Sequence, residues 1–114
     1  MRLRIDMTGI EFRVAGAVRP RLVSKADQRQ KTTPDSDGRR PIWTVRLTAY
    51  DAATGSTEMI WVEVAGEAPE LAPNEIAVVQ GLTYAPWVNN KKEIVRAFRA
   101  EAVTLASAAR KAAA

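Results

Sequence analysis

Apolar and polar residues alternate with period two along most of this chain, the signature of strands that bury one face and solvate the other. Leu3, Ile5 and Met7, then Phe12, Val14, Gly16 and Val18, follow that alternation over residues 2–18. The break at Gly9 predicts one long strand, or two, with a kink or bulge at the glycine. Trp43, Val45, Leu47 and Ala49 alternate with Thr44, Arg46, Thr48 and Tyr50, so a second strand turns the first set to the core and the second set outward. After a short turn over residues 51–57, residues 58–65 place Ile60, Val62 and Val64 on one face and Met59, Trp61 and Glu63 on the other, a hairpin partner for the second strand. Residues 76–84 form a fourth strand, bent at Gly81. Residues 93–104 form a fifth, with Ile94, Val95, Phe98 and Val103 divided between its faces.

The intervening segments are of different kinds. Residues 24–41 contain no large apolar side chain and carry Pro34, Gly38 and Pro41, which predicts a long mobile loop. Residues 66–75 hold two prolines and have room for a shaped loop or one turn of helix. Residues 85–92 read as a hairpin connection in which Asn89 and Asn90 can adopt positive φ. The Ala-rich end has helical propensity but no apolar stripe, so the expected organisation is one domain over residues 1–106 and a flexible tail over 107–114. An all-β, five-stranded OB-type barrel with a long loop between strands 1 and 2 accommodates this order. A small open β-sandwich or an SH3-like barrel are the alternatives.

Composition narrows the chemistry. With 114 residues, 46% apolar and 26% charged, the chain has the profile of one globular domain. It has neither cysteine nor histidine, so disulfides, thiol nucleophiles, Cys-ligated zinc and imidazole bases are excluded. Phosphate-binding glycine motifs are missing and the carboxylates of residues 51–75 stand singly, so neither an enzyme nor a bound cofactor, metal or small-molecule substrate is expected. The charged N-terminal stretch lacks a secretory apolar region and no window is long enough to span a bilayer, which reads as a cytoplasmic protein.

Charge is segregated. Lys and Arg are absent from residues 47–90, which hold six acids, whereas the two ends of the chain are basic. Those ends make one basic face only if the fold brings them together. Unpaired nucleic acid is held by cations along the phosphates and flat rings against the bases. The candidate rings are Tyr50, Trp61, Tyr84 and Trp87; the candidate cations are Arg39, Arg40, Arg46, Lys91, Lys92, Arg96 and Arg99. Glu63, also outward, sits awkwardly for a phosphate path across the third strand.

Two segments carry a resemblance to the bacterial single-stranded DNA-binding protein family. TEMIWVEVAGE (Thr57 to Glu67) resembles that family's third strand, and VVQGLTYAPWVNNKKE (Val78 to Glu93) resembles its fourth strand running into a basic hairpin with a Trp. The resemblance implies an OB fold gripping single strands in a groove, as a homo-oligomer (dimer or tetramer). It implies base stacking by Trp87. Met59 stands where another stacking aromatic is common in the family, a departure that Trp61 on the same strand face would offset. The ending RKAAA lacks the family's Gly-rich linker and acidic tail, which points to a divergent member of the kind carried by plasmids or mobile elements. The expected function is sequence-tolerant binding of single-stranded DNA in replication, recombination or transfer. An RNA-binding OB protein, or a β-barrel interaction subunit using Trp61 and Met59 against another protein, are the alternatives.

Overall fold

A computed structural model describes residues 2–24 and 26–107, so the expected tail lies, from residue 108 onward, outside the described residues. The described chain is mostly β. Its strands are β1 (Leu3–Arg4), β2 (Ile10–Val14), β3 (Arg19–Pro20), β4 (Ile42–Asp51), β5 (Ser56–Ala65), β6 (Ile76–Gln80), β7 (Thr83–Tyr84), β8 (Trp87–Val88), β9 (Ile94–Val95), β10 (Phe98–Ala100) and β11 (Ala102–Leu105). No helix among the described residues is long and apolar enough to cross a membrane.

The dominant unit is the hairpin of β4 and β5, paired antiparallel from Ile42↔Ala65 to Asp51↔Ser56. Its turn closes through Gly55 N–H donating to Asp51 O at 2.8 Å, and Gly55 has φ 73°, which a residue without Cβ adopts at little cost. The alternation places Val45 opposite Val62 and Leu47 opposite Ile60. Val45, Leu47 and Val62 are fully buried. β2 adds Val14 against Leu47 and Phe12 against Ala49, β6 brings Ala77 to Phe12, and β11 brings Val103 to Val79. These side chains form one continuous core.

The hydrogen-bonded order is β1-β7-β10-β5-β4-β2-β6-β11, with β3 on β4, and this path is open at β1 and β11. β10 runs parallel to β5 while the other pairs are antiparallel. A single residue, Glu101, separates β10 from β11, so one stretch of chain pairs first with β5 and then with β6. The bend sits opposite Gly81, whose φ is 64° and whose hypothetical Cβ would lie 2.7 Å from the Glu101 side chain. Gly81→Ala is therefore expected to destabilise the fold by about 1–2 kcal/mol through left-handed strain, with Glu101 forced aside. Gly9, at φ 78°, has open space around its Cβ position, so Gly9→Ala should lose less; urea denaturation of both variants checks the difference.

Several sequence expectations need correction. Residues 2–18 take the two-strand alternative, β1 and β2 with Gly9 in the break between them, because each pairs with a different neighbour, and β3 follows as a separate short strand on β4. The fifth strand is three pieces, and the first of them, β9, leaves the sheet to pair with β8 as an arm. Positive φ in that arm falls on Lys92 (61°) rather than on Asn89 or Asn90. Asn89 instead uses its side-chain oxygen to accept from the N–H groups of Lys91 and Glu93, which closes the tip. The segment expected to be a long mobile loop is a long connection with local structure of its own. Leu22 bridges to Gln30 and Thr32 to Pro41, Lys31 exchanges backbone bonds with Arg21 and Ile42, and a 3-10 turn spans Asp35–Asp37.

Candidate nucleic-acid interface

Directly opposite residues in a ladder share a face, so register partners can be followed across strands. Arg4, Thr83, Arg99, Glu63, Thr44 and Arg19 are successive partners across β1, β7, β10, β5, β4 and β3. At the usual strand spacing this row runs about 24 Å across the outer face. Two further arginines join it: Arg2 Nη1 donates to Thr83 Oγ1 at 3.1 Å, and Arg21 Nε donates to Glu63 Oε1 at 3.0 Å. Glu63, which in sequence looked hostile to a phosphate, is thus flanked by cations. Partial burial and then the nearby Arg99 charge lower the pKa of Arg2, while Glu63 opposes them. The two basic ends of the chain therefore meet on one face, as a continuous basic surface requires.

The adjacent row is Arg46 opposite Trp61. The guanidinium carbon of Arg46 lies 5.5 Å from the Trp61 ring centroid, a cation–π contact. On its other side Arg46 reaches Gly16, where a Cβ would come within 3.4 Å of the guanidinium, and Nη2 donates to Ala15 O at 3.1 Å. Arg46 Nε is buried without a hydrogen-bond partner among the described residues. Arg46 is thereby held between backbone and indole, and it fixes the ring while leaving Trp61 48% exposed. Met59 opposite Thr48, with Arg13 beyond, and Tyr50 opposite Thr57 extend the same face, and both Met59 and Tyr50 are exposed.

Two hollows adjoin this face. One of about 380 Å³ lies beside Trp61, between Thr44 and the segment from Arg19 to Gln28. The other, about 710 Å³, lies under the arm of residues 31–40, with Lys31 and Arg40 on the arm side, Arg2 and Arg99 on the sheet side, and Asp37, Glu63 and Glu101 among them.

The other candidates are distributed differently. Arg40 lines the larger hollow and donates from Nε to Asp37 O, whereas Arg39 is engaged by Asp35 in an ion pair whose hydrogen bond raises the arginine pKa. Tyr84 is in register with Phe98, which packs on the core, and the two rings lie 5.1 Å apart, so Tyr84 belongs to the inner side of its strand. Arg96 pairs with Glu58 at 3.6 Å. Trp87, Lys91 and Lys92 are exposed on the β8–β9 arm, outside the main sheet. Trp43 donates its indole N–H to Gly66 O at 2.9 Å and is structural.

Sequence reasoning missed Arg2, Arg4, Arg19 and Arg21. The alternation of Arg2 and Arg4 with Leu3 and Ile5 carried part of that signal, but no local pattern shows that β1 docks on β7 beside β10. No protein-family model matches this chain, and no curated protein or solved structure matches it.

Proposed function

We propose that this chain binds single-stranded DNA with little sequence preference, stacking bases on Trp61 and holding phosphates with the arginines of the adjoining row. The observation that carries the reading is an exposed indole, braced by Arg46, beside a row that brings together five arginines and one carboxylate. Stacking accepts any base because each has a π face, and phosphate contacts add affinity by releasing counterions. The proposal includes a five-stranded OB barrel in which β10 and β11 act as one bent strand. Its support is the pairing sequence β5-β4-β2-β6-β11, with β10, one residue before β11, lying parallel to β5. The proposed setting is the cytoplasm, in replication, recombination or plasmid transfer, as a divergent relative of the bacterial single-stranded DNA-binding proteins acting as a homo-oligomer without catalysis.

Titrating dT oligomers while following tryptophan fluorescence tests this. Stacking on Trp61 quenches emission, and a Trp87→Phe background removes the arm's contribution. If three to five phosphates are neutralised, affinity falls with salt at a log–log slope of about −2 to −4. No quenching at tens of micromolar protein in dilute buffer would reject the reading in favour of a protein-interaction surface built on Trp61 and Met59. Tighter binding of rU than of dT would move it to RNA.

A further inference from the structure

Two apolar surfaces with no partner among the described residues lie at opposite ends of the β10–β11 run. The first is the β8–β9 arm, whose neck closes where Ala85 N–H donates to Ala97 O at 2.9 Å. An isolated two-stranded hairpin is marginal in water, and here Val88 and Ile94, opposite one another, are 63% and 74% exposed. Its tip carries Lys91 and Lys92, which form no ion pair among the described residues. The second is a groove of about 1020 Å³ between the connector of residues 67–73 and β11, with an apolar floor of Val18, Val64, Leu71 and Leu105. The charged residues of its lining are Glu67, Glu70 and Glu101, with no Lys or Arg among the described ones.

An apolar arm with a basic tip and an apolar groove with an acidic rim are complementary in both shape class and charge. They cannot meet within one chain without the arm doubling back. The neck adjoins the Glu58 end of β5 through the Arg96–Glu58 pair, whereas the groove includes Val64 and Ala65 at the other end. Glu58 and Ala65 are seven positions apart along the strand, about 23 Å. We infer that the arm of one molecule docks into the groove of a second copy of this chain, with Val88 and Ile94 on the apolar floor and Lys91 and Lys92 against Glu67 and Glu70. Such a contact is head-to-tail, so it repeats into a ring or an open chain of subunits rather than ending at a two-fold dimer. Trp87 and Val95 lie on the other side of the arm and stay outside the contact.

Sedimentation of the full chain without nucleic acid tests this independently of the DNA reading, because either can fail while the other holds. The wild-type protein should show mass rising with concentration, and less so at high salt. Lys91→Glu with Lys92→Glu, and separately Glu67→Lys with Glu70→Lys, should each weaken association about tenfold or more through like-charge contacts. Mixing the two double variants restores opposite charge at each junction and should restore association; circular dichroism confirms that each is folded. A wild-type monomer at all concentrations would overturn the inference. Loss in the arm variant without recovery on mixing, or indifference to the Glu67/Glu70 change, would overturn it in favour of arm-to-arm contact.

Discussion

Trp61→Ala should weaken binding of dT oligomers about tenfold to a hundredfold, the consequence of losing the ~1–3 kcal/mol that a stacked base contributes. Every sequence should suffer alike, because a ring reads the face of a base rather than its hydrogen-bonding edge. The salt slope should change little, since no phosphate contact is removed. Folding should be nearly unaffected: the ring is about half exposed, and its chief close partner is the Arg46 side chain. Trp61→Phe keeps a flat ring and should recover most of the affinity. Fluorescence anisotropy of a labelled oligomer reads binding and urea denaturation reads stability. Unchanged affinity in Trp61→Ala, with the fold intact, would sink the stacking proposal.

Leu47→Ala should behave in the opposite way, destabilising the protein by about 2–5 kcal/mol. Leu47 is fully buried and stands between Val14 on β2 and Ile60 on β5, where the ladders on both sides hold the backbone. The cavity left by truncation cannot collapse without shifting those strands. A domain of this size has about 5–15 kcal/mol of total stability, so the variant should unfold at markedly lower urea. Thr48→Ala, one residue along and on the outer face, should change stability by no more than about 0.5 kcal/mol. If the two variants unfolded together, the assignment of inner and outer faces would be wrong.

The contrast between these adjacent positions follows from alternation, which is legible in the sequence. Val45 and Leu47 inside, Arg46 and Trp61 outside, the bend at Gly81 and the turn before Ser56 follow from period-two patterning and turn chemistry, both local properties. Expectations failed where a segment changed partners. β9 and β10 look continuous in sequence because both alternate, yet Arg96 and Ala97 mark the point where pairing passes from β8 to β5 and β7. Tyr84, read as a ring for nucleic acid, packs at a tilt against Phe98 because β7 and β10 are in register there, a long-range pairing with no local signature. The shape of residues 24–41 escaped notice because it depends on backbone bonds rather than on apolar side chains.

By itself the sequence determined the β4–β5 hairpin with its inner and outer faces, the lack of thiol and imidazole chemistry, and the confinement of positive charge to its two ends, since these depend on residue type and near neighbours. Only the tertiary structure decided that Arg2 and Arg4 lie across Thr83 from Arg99, that Arg21 pairs with Glu63, and that Arg46 is clasped between Gly16 and Trp61. Those contacts join residues up to 81 positions apart in the chain, the separation of Arg2 from Thr83, and are set by which strands pair and in what register. Register is selected by the whole buried face at once, so no short window of sequence contains it.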